Sequence, residues 1–113
     1  MIFIETEVFT KLLQDNLTDQ DYAALQVALI ANPHLGQVIR NSGGLRKLRW
    51  QSSFNAKGKR GGIRVIYYYA DYYYADRKEQ IFLLLIYTKG VKDDLNAGEL
   101  KMLRQLSEYL DNG

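Results

Sequence analysis

Residues 43–69, GGLRKLRWQSSFNAKGKRGGIRVIYYY, contain two segments typical of β-strands, each preceded by a pair of glycines. The first segment covers residues 45–51, and the second begins at Ile63 and extends to about residue 69. A third strand is predicted over residues 80–88, which are mostly apolar. Because the three segments lie close together in the chain, antiparallel pairing through hairpins is the simplest topology.

The sequence before this region predicts a short strand over residues 2–5 and then two helices. Thr6 is placed to cap a helix over about residues 7–16. Thr18, with acidic residues in the turn that follows it, begins a second helix that ends at about Ala31. It ends there because the residue before a proline, here Asn32, disfavours the helical conformation. The two helices form a hairpin whose apolar faces require a sheet to cover them.

A last helix is predicted from Asn96 to about Leu110, because Asn96 and Glu99 have the spacing of a capping box. The length of 113 residues suits one domain. The predicted fold is therefore a single α+β domain over residues 1–113. It consists of an N-terminal helical hairpin packed on a small antiparallel sheet, with a C-terminal helix.

The composition is that of a globular protein, with 47% apolar and 25% charged residues. The absence of cysteine excludes disulfides, zinc–thiolate sites and thiol catalysis. The longest wholly apolar run, IFLLLIY at residues 81–87, is far shorter than the roughly 20 residues that span a bilayer. The N-terminal MIFIETEVF carries glutamates where a secretory signal needs positive charge. We therefore expect a soluble cytoplasmic protein without a membrane partner.

The formal net charge of +2 conceals an uneven distribution along the chain. From Tyr22 to Ala70 the sequence contains eight basic residues and no acidic residue, whereas the rest of the chain carries a net charge of −6. The basic residues are Arg40, Arg46, Lys47, Arg49, Lys57, Lys59, Arg60 and Arg64. Such a basic segment on a folded scaffold attracts polyanions.

The residues present exclude several kinds of chemistry. His34 is the only histidine, which excludes a two-histidine nuclease and a histidine-cluster metal site. Asp93-Asp94 is the only adjacent carboxylate pair, and it precedes a predicted helix, where acidic residues complement the helix dipole. The glycines and lysines of AKGKRGG lack the spacing of a phosphate-binding loop. We therefore predict neither a metal nor a cofactor.

What remains for chemistry is Lys, Arg and Tyr. Lys47 and Arg49 are two residues apart on the first strand, so both leave the same face. Arg64 lies on the second strand, and Tyr87 and Lys89 share a face of the third. If the strands are neighbours, one face is a basic surface with an aromatic residue at its edge. Cations there would stabilise the charge that develops on a phosphodiester in a transition state.

The segment between the first two strands carries Lys57, Lys59 and Arg60. A lysine among other cations favours its neutral amine, which could then act as a base near neutral pH. Tyr68 lies four residues from Arg64 and either lines the basic surface or pairs across a hairpin. Residues 67–76 are an exact tandem duplication, YYYADYYYAD. It predicts either an elongated hairpin or tyrosines that stack on bases or on a partner.

Three motifs, GGLRKLRW, KGKRGGIRVIYYY and FLLLIYTKGVKDDL, resemble the RelE/HigB type of bacterial toxin, and its HigB branch in particular. The resemblance extends over nearly the whole chain. It implies a ribosome-dependent endoribonuclease that cleaves mRNA in the A site without a metal, the 2′-hydroxyl of the RNA attacking the adjacent phosphate. It also implies a cognate antitoxin, a HigA-like helix-turn-helix protein, through which alone the chain would contact operator DNA.

The resemblance assigns roles to residues of this sequence. Arg64 matches the arginine placed against the scissile phosphate, and Lys89 stands near the cation that follows the last strand. The expected RNA-binding residues are Lys47, Arg49, Arg60, Arg46 and Tyr68. Some relatives carry a catalytic tyrosine after the last strand, where this chain has Leu95 or its neighbours. The general base therefore remains open among Lys57, Lys59 and Tyr87.

Two other functions fit the same residues. A ParE-like toxin would share the scaffold but inhibit gyrase, and an inert RNA-binding module would use the cations only to contact phosphates. Such a module would show strongly salt-dependent binding without turnover.

Overall fold

The computed structural model describes residues 1–53, 62–70, 79–88 and 96–112. The elements, in chain order, are β1 (Ile2–Glu5), α1 (Glu7–Asn16), α2 (Asp19–Ala31), β2 (Gln37–Val38), β3 (Arg46–Trp50), β4 (Ile63–Ala70), β5 (Gln80–Thr88) and α3 (Ala97–Asn112). Within these described ranges no helix has both the length and the apolar character that crossing a membrane requires. Residues 71–76, the greater part of the tandem duplication, lie outside the described residues.

The five strands form one sheet in the order β1-β5-β4-β3-β2. The antiparallel meander of β3, β4 and β5 confirms the predicted topology. β1 joins the outer edge of β5 in parallel, with Ile2 aligned to Gln80, so the sheet is mixed rather than wholly antiparallel. A hairpin cannot make this pairing, because β1 and β5 are parallel and far apart in the chain. β2 is an additional two-residue edge strand, too short to give an alternating pattern.

The predicted helix starts and stops are confirmed. The Thr6 hydroxyl accepts a hydrogen bond from the Phe9 amide at 3.0 Å. At the start of α2, Thr18 and Asp21 form a reciprocal capping box, with bonds of 3.0 and 3.1 Å. α2 ends at Ala31, and Asn32 is extended before Pro33. These caps satisfy amide groups that have no partner within the helix, and so they define where each helix begins.

Each face of the sheet supports its own apolar core. On one face, Phe9 of α1 and Leu25 and Leu29 of α2 pack against strand residues that include Leu48 and Val65. On the other face, α3 contributes Leu103 and Leu106, which pack on a second set of buried residues. These are Leu45, Ile66, Tyr68, Ala70, Leu84 and Tyr87. The helical hairpin and the C-terminal helix therefore cover opposite faces of the sheet.

Candidate functional site

Arg49, Arg64 and Tyr87 form a row across the three central strands. Arg49 of β3 is aligned with Arg64 of β4, and Arg64 is aligned with Tyr87 of β5. Aligned residues on neighbouring strands project from the same face, and the strands are about 4.8 Å apart. The three side chains therefore stand side by side on one face, as the sequence predicts, and α3 packs on that same face. We call these three residues the basic row.

A β-bulge in β5 brings Tyr87 into the basic row. Tyr67 is aligned with Leu83 and Ile66 with Leu85, which leaves Leu84 as an extra residue in β5. If the pairing continued without this bulge, Arg64 would be aligned with Ile86. Bulges commonly redirect a side chain in this way near functional sites. The sequence did not predict the bulge, because an extra residue in an apolar strand leaves no distinct signal.

The members of the basic row differ in exposure. Arg64 is only 3% exposed and Tyr87 is 6% exposed, whereas Arg49 is open to solvent. A guanidinium nitrogen of Arg64 donates to the carbonyl of Ile63 at 3.4 Å. Like charges aligned on adjacent strands repel each other, and strands β2 to β5 contain no acidic residue.

Lys47 lies on the same face as the basic row, two residues before Arg49. It is aligned with Ile66 of β4 and with Gln37 of β2, and its side chain is partly buried. The structure thus brings Lys47, Arg49, Arg64 and Tyr87 together on one face.

The structure places Arg46 on the opposite face of the sheet. Its guanidinium donates to the carbonyls of Gly36 at 2.7 Å and His34 at 3.3 Å. Tyr67 supports the same segment, because its hydroxyl donates to the Pro33 carbonyl at 2.8 Å and accepts from the Gly36 amide at 2.9 Å. Burial raises the pKa of Tyr67, so its hydroxyl keeps the proton that it donates. Arg46 therefore supports the chain before β2 and is not part of the basic row.

Tyr68 shares the face of Arg64, as expected, but it belongs to the core beneath α3. It is buried, and its ring lies 6.5 Å from that of Phe82. Four predicted site residues, Lys57, Lys59, Arg60 and Lys89, lie outside the described residues.

Residues 51–62 join the end of β3, where Arg49 lies, to the start of β4, where Arg64 lies. In sequence, this connection contains Lys57, Lys59 and Arg60. The start of this connection is attached to the turn between α1 and α2. The Ser53 amide and hydroxyl donate to the two carboxylate oxygens of Asp21 at 2.9 and 2.7 Å. The Trp50 indole donates to the Asp21 carbonyl at 3.3 Å, and the Ser52 hydroxyl donates to the Asn16 carbonyl.

Asp21 therefore links the capping box of α2 to the end of β3. Burial tends to raise the pKa of Asp21, but the hydrogen bonds from Ser53 and Thr18 outweigh it and hold that pKa below its usual 3.8. The sequence indicated Asp21 only as a first-turn acid. The contact with Ser53 could not be predicted, because it joins residues 32 positions apart.

Among the described residues, no group of three or more His, Asp or Glu side chains could hold a metal ion.

No protein-family model matches the sequence. Among solved structures, the chain is similar to the Escherichia coli toxin RelE, determined as an arginine-to-alanine mutant in the free state. The TM-score is 0.54 at 17% sequence identity, and the match covers 81% of this chain and 86% of the RelE chain. This likeness shows that the chain has the RelE fold, with its helical hairpin, mixed sheet and C-terminal helix.

Proposed function

We propose that this chain is the toxin of a toxin–antitoxin system, of the HigB branch, and that it cleaves mRNA in the ribosomal A site without a metal. The observation that carries this proposal is the basic row, in which Arg49, Arg64 and Tyr87 are aligned on one face of the sheet and strands β2 to β5 contain no acidic residue. The RelE fold gives further support, because the protein that shares it is a toxin.

In this reaction the 2′-oxygen of the RNA attacks the adjacent phosphorus. The new O2′–P bond forms as the P–O5′ bond breaks, which leaves a cyclic phosphate and a 5′-hydroxyl. A general base removes the 2′-proton, and the leaving 5′-oxygen gains a proton. Negative charge develops on the phosphate oxygens in the transition state, where fixed cations stabilise it most strongly.

Arg64 is the residue we assign to the scissile phosphate. Its planar guanidinium can donate two parallel hydrogen bonds to phosphate oxygens, and its burial beside Tyr87 holds it in one position. Arg49, Lys47 and Lys89 supply further positive charge. The general base is Lys57, Lys59 or Tyr87.

The proposed partners are mRNA, ribosomal RNA and a HigA-like antitoxin, so the proposed location is the cytoplasm. The antitoxin would cover either the basic row or an exposed edge of the sheet such as β2. A small helix-turn-helix protein encoded in the adjacent reading frame would support this assignment.

The test is to induce the protein in bacteria and to map mRNA 5′ ends by primer extension. We expect growth arrest with cleavage within A-site codons. We expect Arg64→Ala to lower the cleavage rate by about 100-fold, the usual effect of losing one preorganised hydrogen-bond donor. Arg49→Ala should lower it by about tenfold, since this side chain is open to solvent and screened.

Lys11→Ala is the matched control. It removes the same charge from an exposed site on α1, the helix that packs on the opposite face of the sheet, and it should leave cleavage unchanged. Because Arg64 is buried, thermal unfolding of each variant must show that the fold persists. Arrest without A-site cleavage would contradict the proposal. Gyrase trapped on DNA with intact mRNA would indicate a ParE-like inhibitor, and salt-dependent RNA binding without turnover would indicate an inert module.

A further inference from the structure

A cavity of about 390 Å³ lies beside the basic row, at the edge of the sheet. It is lined by Leu35, Gln37, Lys47, Leu48 and Arg49. Its volume falls within the roughly 300–1,000 Å³ that is usual for small-molecule sites. Arg49 belongs to both the cavity and the basic row, so the two are continuous.

The cavity forms because β2 is shorter than β3. β2 pairs only Gln37 with Lys47 and Val38 with Arg46, so β3 continues beyond the end of its neighbour. The chain before Gln37 leaves the sheet at Gly36 and turns towards the opposite face.

Buried contacts hold this wall of the cavity in place. The Gly36 carbonyl accepts from Arg46, and the Gly36 amide donates to the Tyr67 hydroxyl. A β-carbon at Gly36 would lie 2.8 Å from the Tyr67 ring, so the backbone approaches this ring more closely than any other residue type allows. Because Leu35 and Gln37 flank Gly36, the same contacts position both residues. The cavity is therefore largely preformed.

The side chains around the cavity differ in chemistry from those of a simple anion site. Lys47 and Arg49 are cations, which suit phosphate. Leu35 is 40% exposed and offers an apolar surface. Gln37 is exposed and shares the face of Lys47, and its amide offers one donor group beside one acceptor. An apolar surface, an amide and two cations together match the base, the base edge and the phosphate of a nucleotide.

We infer that this cavity is a subsite for one base of single-stranded RNA, and that Gln37 is a specificity-determining residue that binds the base edge. The inference rests on the proposed function, because it concerns a nucleotide near the phosphate held by Arg64. Gln37 lies two strands and two residues away from Arg64. With strands about 4.8 Å apart and a rise of about 3.3 Å per residue, the two residues are about 12 Å apart. At that separation the base belongs to a neighbouring nucleotide rather than to the scissile phosphate itself.

The experiment compares the wild type with Gln37→Ala and with Gln20→Ala, an exposed glutamine on α2 that serves as the control. Cleavage sites are mapped across the whole mRNA pool, and the base frequency at each position around the cut is determined. We expect the wild type to prefer certain bases at one position. Gln37→Ala should reduce that preference by about tenfold, the lower range for loss of a paired amide–base contact. The thermal unfolding midpoint of Gln37→Ala should remain unchanged, since the side chain is exposed.

A second measurement separates this inference from the proposed function. Short homopolymer RNAs of each base are titrated against the same three proteins, without ribosomes, at one fixed salt concentration. A base preference that Gln37→Ala abolishes and Gln20→Ala retains supports the subsite, even where the wild type fails to cleave and the proposed function is wrong. Cleavage with an unaltered base preference in Gln37→Ala overturns the subsite alone. If the wild type shows neither cleavage nor a base preference that depends on Gln37, both the proposed function and the subsite are overturned.

Discussion

Arg64 carries a positive charge into the interior of the molecule, where it is 3% exposed. An arginine cannot lose its proton at physiological pH, so the cost of removing its charge from water is permanent. We propose that this charge is retained because Arg64 binds the scissile phosphate.

Asp21 provides a prediction on pH dependence. Its hydrogen bonds with Ser53 and Thr18 lower its pKa in the folded state, so the folded protein favours the charged carboxylate. The stabilisation is complete above the unfolded pKa, near 3.8, and is lost as the pH falls through the lower folded pKa. We expect the free energy of unfolding in urea to decrease below about pH 4. Asp21→Asn should lack the part of this decrease that comes from Asp21.

Asp15→Asn is the control for this measurement, because Asp15 is an exposed acid on α1. It should retain the pH dependence of the wild type. Identical pH profiles for Asp21→Asn and Asp15→Asn would contradict the assignment. At neutral pH, Asp21→Ala should lower the free energy of unfolding by about 1 kcal/mol, the usual size of a helix-capping interaction.

At the scale of elements, we expect alanine substitutions at two glycines to have opposite effects on the free energy of unfolding. Gly62, at the start of β4, has a φ of +53°, and a β-carbon there would clash with the carbonyl oxygen of Trp50. Gly98 lies in the first turn of α3, where a β-carbon meets only the Asn96 side chain at 3.4 Å. We expect Gly62→Ala to lower the free energy of unfolding by about 2 kcal/mol. Gly98→Ala should raise it by about 0.5 kcal/mol, because alanine favours helix.

Chemical denaturation of both variants tests this pair, with the slope against denaturant showing whether unfolding remains two-state. Each variant is the control for the other, since both make the same chemical change. Equal effects of the two substitutions would show that the connection between β3 and β4 moves to admit a β-carbon.

The elements that the sequence predicts correctly are those defined by local interactions. The caps at Thr6, Thr18 and Asn96 bond to residues three positions away, and each appears as predicted. The sequence predicts the strand at residues 2–5 but not its parallel pairing with β5, which joins distant parts of the chain, and it misses β2, whose two residues are too few to form a pattern. The same distinction applies to the site. The shared face of Arg49 and Arg64 follows from strand alternation, whereas the Leu84 bulge and the cavity by Gln37 follow from sheet register.

At the scale of the whole molecule, the two faces of the sheet are specialised. The helical hairpin covers one face and closes the larger core. α3 and the basic row share the other face, where the apolar core of Leu45, Ile66 and Tyr68 lies beside charged side chains. The net charge of +2 therefore describes neither surface. Of the eight basic residues between Tyr22 and Ala70, Lys47, Arg49 and Arg64 lie on this face, whereas Arg46 lies on the other.

The position of the basic row on one face of the sheet predicts how RNA binding depends on salt. For a single strand, the logarithm of affinity falls with the logarithm of salt concentration, with a slope of about −0.7 for each phosphate neutralised. Arg49→Ala should make the slope for a short unstructured RNA shallower by about 0.7, because Arg49 is open to solvent on the basic face. Lys11→Ala, on the helix that packs on the opposite face, should leave the slope unchanged although it alters the net charge equally. Equal changes in slope for both variants would mean that the RNA responds to net charge, and that the face of the basic row is not where it binds.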